Sequence, residues 1–228
     1  LEIPSIGGLY ASGNAIKGWE VDWATLGGSS AADRFKRCSL FGEPPAASSD
    51  NNLSFWESFE YWQGGHLSAP GLGAGEVLQR SSGNTAAPTD GNSWPLVTKG
   101  GWQIRCLSSL ASGNVGSSPY AQGEGFIALA PDGTQYRFDW LVARTAKAAY
   151  KLRGNKTVYD YLFRVNVSIY PTQVTDRYGN TVTYTWNPSA PSQLLSIQGS
   201  DGRTISFNYV TGTDRVASVT DGTRSWTY

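Results

Sequence analysis

Glu57 and Glu60 lie in an aromatic run, Phe55-Trp56-Glu57-Ser58-Phe59-Glu60-Tyr61-Trp62. Two carboxyl groups beside flat rings are the equipment of glycoside hydrolysis, in which one protonates the leaving oxygen and the other attacks or activates water. The spacing argues against that use, because on an extended strand residues three apart point to opposite faces. A salt-bridged or solvated strand face is the better expectation, with Glu76 and Glu124 as the remaining acids from which a glycan-cleaving site could draw. His66 and Ser68 supply ingredients of nucleophilic catalysis, but no Gly-x-Ser-x-Gly elbow accompanies them. His66 is therefore expected to be a strand residue satisfied by a local hydrogen bond. Trp56, Tyr61, Trp62, Trp94 and Trp102 offer a different chemistry, since exposed flat rings stack on sugars. Most Trp in a β protein nevertheless fills its core.

Asp132, Asp176, Asp201 and Asp221 recur with Gly133, Gly179, Gly202 and Gly222. A calcium array would need further carboxylates beside each Asp, and turn chemistry accounts for all of them. Arg177, Arg203 and Arg224 follow the same turns and are expected to line or cross-link adjacent strands. One histidine and two cysteines exclude a multi-His or four-thiolate zinc site, and no cofactor is expected. Cys38 and Cys106 sit in similar contexts, Lys-Arg-Cys-Ser-Leu and Ile-Arg-Cys-Leu-Ser. A disulfide between them would close a loop of about 69 residues and stabilise by roughly 4 kcal/mol in the chain-entropy treatment. Two buried thiols are the alternative if the host protein stays in a reducing compartment.

Eighteen basic residues balance eighteen acidic ones, so the chain lacks the positive excess that would attract nucleic acid or an anionic membrane over long range. No apolar run reaches the roughly 18 residues of a membrane span. Nine Trp, twelve Tyr, eight Phe and 27 Gly describe a folded chain rich in turns. The first residue is Leu1 and Met is absent, from which we expect a processed product or an excised piece with no signal peptide of its own.

The elements that must position these residues are strands. Residues 131–140, 176–186, 201–209 and 221–228 each read as an Asp/Gly turn followed by an alternating strand. In the second unit Val182, Tyr184 and Trp186 share one face while Thr181, Thr183 and Thr185 share the other. Short lead-in strands are predicted over 172–175, 193–198 and 215–220. The Asp-to-Asp spacing is 25 residues from Asp176 to Asp201 and 20 from Asp201 to Asp221, an imperfect two-strand repeat whose copies stack. Upstream, Gly/Ser/Pro/Asn clusters near 27–30, 43–52, 69–75, 81–92 and 108–118 separate short apolar segments. Residues 55–67 are expected to form a strand or hairpin with a Gly64-Gly65 turn, 100–110 another strand, and 31–41 one helical turn. Residues 1–125 thus form a loop-rich β region, and 126–228 the hairpin repeats, of an all-β antiparallel protein.

The repeat units, Asp-x-x-Gly-Asn or Asp-Gly-Arg/Thr followed by Thr/Tyr alternation ending in Tyr or Trp, resemble the YD repeats of bacterial RHS (rearrangement hotspot) proteins. Residues 34–45 (RFKRCSLFGEPP), 61–75 (YWQGGHLSAPGLGAG), 94–107 (WPLVTKGGWQIRCL) and 123–140 (GEGFIALAPDGTQYRFDW) look like the segment that precedes the first repeats in that family. The resemblance implies the start of a β-sheet that spirals into a hollow shell, enclosing a C-terminal toxin or presenting a surface. It implies a secreted or cell-surface bacterial parent, with further repeats or an enclosed C-terminal domain as partners. The family's self-cleaving Asp-Pro-x-Gly core has no counterpart before Tyr228, so no catalytic residue is expected. The alternative is a carbohydrate-binding module whose exposed Trp and Tyr hold glycans, and a weaker one is a glycan-cleaving enzyme.

Overall fold

A run of β-branched and aromatic residues between glycine turns has few options besides antiparallel pairing, and in the computed structural model that pairing is nearly continuous. The described residues are 2–11, 36–44, 46–49, 51, 53–71, 73, 75–81, 87–114, 122–153 and 157–228. In chain order the strands are β1 (Ser5–Ala11), β2 (Ala47–Ser48), β3 (Phe55–Trp56), β4 (Gly65–Ser68), β5 (Gly75–Gln79), β6 (Leu96–Thr98), β7 (Gln103–Leu107) and β8 (Gly125–Leu129). They continue as β9 (Gln135–Leu152), β10 (Tyr159–Thr175), β11 (Thr181–Trp186), β12 (Leu194–Gly199), β13 (Thr204–Tyr209), β14 (Val216–Thr220) and β15 (Ser225–Thr227). One helical turn, α1 (Ser58–Tyr61), and a 3-10 turn at Ala111–Asn114 complete the elements. The all-β antiparallel class expected from the sequence is what forms.

Thirteen strands make one sheet in the order β1-β4-β5-β6-β7-β8-β9-β10-β11-β12-β13-β14-β15, while β2 and β3 form a separate pair. β1 pairs both with β4 and with residues 164–169 of β10, which closes the first eight strands into a barrel. Closure leaves those strands no free edge. Glycine permits it. A Cβ at Gly7 would lie 1.9 Å from the Val167 carbonyl oxygen, and one at Gly125 would lie 2.6 Å from that of Phe138, so the backbones approach where no side chain fits.

The barrel interior is filled by Ile6, Leu67, Val77, Leu96, Trp102, Ile104, Phe126, Tyr136, Phe138 and Ile169, with Tyr136 between Trp102 at 5.3 Å and Phe138 at 5.8 Å, ring centre to ring centre. Because the barrel draws on strands from Ser5 to Thr175, it straddles residue 125, where composition suggests a boundary.

Strand β10 is where the sheet leaves the barrel. Its residues 164–169 pair with β1 and its residues 173–175 with β11, and between them the register with β9 breaks on either side of Pro171. Proline cannot donate to a ladder and settles at such bulges. On β9 the same irregularity sets Pro171 against Phe138 and Tyr170 against Trp140, leaving Asp139 as the extra residue. The alternation expected over 131–140 therefore breaks: Tyr136 and Phe138 face the barrel core, whereas Trp140 joins Val142, Trp186 and Leu194 in a second apolar cluster outside it. Trp186 donates its indole N–H to the Pro171 carbonyl at 3.0 Å and stacks on Trp140 at 6.2 Å, and Trp140 donates to the Pro191 carbonyl at 2.8 Å.

Residues 55–67 depart from the expected strand or hairpin. β3 ends at Trp56, α1 follows, and β4 begins at Gly65. The reason is local: the Glu57 side chain accepts from the backbone of Glu60 while the Glu57 amide donates to the Glu60 carboxylate at 2.8 Å, a reciprocal cap that starts a helical turn. Of the helical turn expected over 31–41, residues 31–35 lie outside the described residues, as does the loop cluster at 27–30. Lys36 to Phe41 do turn, with the Leu40 amide bonded to the Lys36 carbonyl at 3.0 Å.

Candidate functional site

Three of the four recurring turns share one construction, the fourth being a tighter loop in which the Asp221 amide bonds to the Arg224 carbonyl at 3.2 Å. Residues 131–133, 177–179 and 200–202 form loops flanked by the bonds Ala130 N–H to Thr134 O, Asp176 N–H to Asn180 O and Gly199 N–H to Arg203 O, each 2.8–2.9 Å. The third loop position is Gly133, Gly179 or Gly202, with φ of 89°, 89° and 85°, the left-handed conformation that three-residue hairpin loops require. The glycine, not the aspartate, keeps the common position: Asp132 and Asp201 precede it directly, whereas Asp176 flanks the loop. Each aspartate oxygen accepts from amides of its own turn, as at Asp176 from Tyr178 and Asn180 at 2.8 and 2.9 Å, and at Asp221 from Thr223 and Arg224 at 2.9 and 2.6 Å. These bonds hold the four carboxyls below the usual range. The leading contributions come from the Thr134 amide at Asp132, the Asn180 side chain at Asp176, the Arg203 side chain at Asp201 and the Arg224 amide at Asp221.

Arg203 pairs with Asp201 of its own turn at 2.5 Å, whereas Arg177, 4.8 Å over the Tyr178 ring, also lies against the neighbouring turn at Gly133. The turns and strands β11 to β13 border an open concavity of about 740 Å³, lined by Val182, Ile197, Arg203, Ile205 and Thr223 among others.

Four of the five rings expected as a sugar platform are core. Trp56, Tyr61, Trp94 and Trp102 are 2, 2, 5 and 0% exposed, and Trp62 is half-buried against the same core. Burial withdraws their large apolar area from water, Trp102 inside the barrel 5.3 Å from Tyr136. The acids are committed elsewhere as well. Glu60 accepts from Lys151 at 2.7 Å in addition to the Glu57 amide, and Lys151, with the amide bond, lowers its carboxyl. Glu124 accepts from the Cys38 and Ser39 amides at 2.9 Å each and from the Ser39 hydroxyl at 2.8 Å. Glu76 faces His66 across β4 and β5. His66 and Ser68 share the exposed side of β4, and no hydrogen bond joins the two among the described residues.

Cys38 and Cys106 are joined in a disulfide across 68 positions of sequence. Around it the buried Arg37 guanidinium donates to the Glu124 and Gln122 carbonyls at 2.7 and 2.6 Å. Burial draws its pKa down to about 10, against the opposing pull of the Glu124 carboxylate. The disulfide, Arg37 and Glu124 together hold residues 36–41 on the rim formed by β7 and β8.

The exposed rings that exist are elsewhere. Beyond residue 164, toward their shared turn, β9 and β10 continue as a two-stranded ribbon, in which Tyr161 opposes Tyr150 and Tyr159 opposes Leu152. The ring centres of Tyr150 and Tyr159 are 5.3 Å apart, and each is 6.5 Å from Tyr161. Phe163 stands beside them, 55% exposed. The other face of the ribbon is pinned: Asp160, fully buried, accepts from Arg153 at 2.6 Å, Asn51 at 2.7 Å and Ser54 at 2.5 Å, and Lys151 donates to the Phe55 carbonyl at 2.7 Å. Those donors, Arg153 first, hold the Asp160 carboxyl well below the usual range. The alternation Tyr159, Tyr161, Phe163 was the available sequence signal for this surface; it lies between the repeat units that drew attention.

Set against protein-family models and against curated proteins, the chain matches none of them.

Proposed function

We propose that the chain is a non-catalytic wall segment of an RHS-type, YD-repeat protein, serving encapsulation or surface presentation, with the barrel as the foot from which the wall of hairpins grows. The observation that carries this reading is the run β10-β11-β12-β13-β14-β15. Each strand there pairs with the next in sequence, four of the five turns carry a glycine in the left-handed region while residues 187–193 join β11 to β12 without one, and burial declines outward from Trp186 and Leu194. A ladder of hairpins in which each strand pairs with its neighbour in sequence is the arrangement that repeat proteins build by adding copies of one unit. The disulfide suits a secreted or cell-surface parent, since such bonds persist in oxidising compartments.

The test is hydrogen exchange on the chain alone and with an excess of a synthetic peptide copying residues 201–228. Amides of β15 are expected to exchange fast alone and to gain protection when the added hairpin continues the sheet. Full protection of β15 without peptide, or reducing-sugar release from a polysaccharide panel by the purified chain, would overturn the reading.

A further inference from the structure

The whole-chain charge of zero conceals a local asymmetry. Residues 144–164 contain six of the 18 Lys and Arg but one of the 18 Asp and Glu, namely Asp160, and that carboxylate is consumed inside the ribbon by Arg153, Asn51 and Ser54. Arg144 and Lys147 are exposed and Arg164 is half-buried. Arg144 bonds to the Tyr170 hydroxyl and Arg164 to the Lys147 carbonyl, and none of the three forms an ion pair among the described residues.

The same end of the molecule concentrates apolar surface. Of the fifteen exposed large apolar side chains among the described residues, nine fall within 53–59 and 150–163. Six of them, Tyr150, Leu152, Val158, Tyr159, Tyr161 and Phe163, belong to the ribbon itself, whereas 53–59 is bonded to the ribbon face opposite Tyr159 and Tyr161, through Lys151 to Phe55 and Ser54 to Asp160. The rings of Tyr150, Tyr159 and Phe163 are 61, 47 and 55% exposed. Exposed rings clustered beside cations mark a place of contact.

We propose that the β9–β10 ribbon end is a peripheral membrane-binding face, which lies on an anionic lipid surface without crossing it. Its mixture of side chains selects this occupant. Tyr and Phe rings settle at the level of lipid headgroups while basic residues beside them reach anionic phosphates. A sugar partner would use the rings but gain nothing from Leu152 or Val158, which offer neither a ring nor a hydrogen bond and are 47 and 40% exposed. Balanced overall charge removes long-range attraction, so binding depends on this face alone and falls with salt.

Co-sedimentation of the full chain with phosphatidylcholine vesicles, with and without about one-third phosphatidylglycerol, tests it. The expected result is binding to the anionic vesicles only. The paired variant Lys147→Glu and Arg164→Glu should weaken that binding by at least about 25-fold, at roughly fivefold per basic group. Tyr159→Ser with Phe163→Ser should reduce it to background, and Leu78→Ser, an exposed apolar residue of β5, should leave it unchanged. Hydrogen exchange on the unaltered chain should gain protection at residues 150–153 and 157–163 when vesicles are added, a readout that needs no variant to fold. No binding to either vesicle, equal binding by all variants, or protection elsewhere would overturn the proposal. So would retention on an alginate gel without vesicle binding, or a dimer abolished by Tyr159→Ser and Phe163→Ser, which would assign the face to an acidic polysaccharide or to a second copy of the chain.

Discussion

The barrel and the hairpin extension are made of the same antiparallel pairs yet hold together differently. In the barrel the pairing that matters most joins Ser5–Ala11 to a strand more than 150 positions later, and the reward is a closed core with Trp102, Ile104, Phe126 and Phe138 fully buried. In the extension every pair is a neighbour in sequence and no residue after Leu194 is buried. Its rigidity comes from turns and from one aromatic cluster at its base. Closure concentrates stability in distant contacts, whereas the meander spreads it over local ones.

The largest expected effect follows from the closing strand. Gly7→Val places side-chain atoms where the Val167 carbonyl already lies and should cost more than about 5 kcal/mol, enough to unfold a typical domain. Loss of near-UV circular dichroism and of soluble yield would show it, and a near-native melting curve would break the claim that closure depends on this glycine. Cys106→Ser, or reduction of the unaltered chain, should lower stability by about 4 kcal/mol because the denatured loop is released, measured by urea titration. Equal stability of the oxidised and reduced forms would remove the disulfide from the barrel's account.

Trp186→Ala should cost about 3 kcal/mol, since the indole stacks on Trp140 and Tyr170 and bonds to Pro171. Hydrogen exchange is expected to rise across β11 to β15 while β4 to β8 stay protected. A uniform rise would mean that the two regions unfold as one. Gly222→Ala, at a φ of 87°, should cost about 1 kcal/mol and affect only β14 and β15.

The smallest effect concerns acid. Because turn hydrogen bonds lower the Asp132, Asp176, Asp201 and Asp221 carboxyls in the folded chain, their contribution is present above the unfolded value of about 3.9. It is lost as pH falls through the lower folded values. Protection factors of the hairpin-turn amides, corrected for the intrinsic pH dependence of exchange, should therefore fall below about pH 4 before those of the barrel strands, and simultaneous loss of both would erase the distinction.

The hairpins were legible because each is decided within a few residues: an Asp that accepts from its own turn, a Gly with positive φ, and β-branched or aromatic residues alternating behind them. Lead-in strands expected over 193–198 and 215–220 form as Leu194–Gly199 and Val216–Thr220. Glu57 and Glu60 misled because one capping box converts an expected strand into a helical turn, and Trp140 because a single extra residue, Asp139, reverses which face it occupies. The exposed Tyr150, Tyr159 and Tyr161 cluster was illegible for another reason, since composition does not say which rings are left over once a barrel has been filled.

By itself the sequence determined the all-β class, the hairpin turns with their glycines and the two cysteines available to pair, because these depend on local backbone preference and side-chain chemistry. Only the tertiary structure decided that eight strands close on Gly7, that Trp56, Trp94 and Trp102 belong to the core, and that the bare aromatic face lies on the β9–β10 ribbon. Those outcomes depend on which distant backbones can approach and which surfaces are thereby covered, and neither is written in any local stretch of residues.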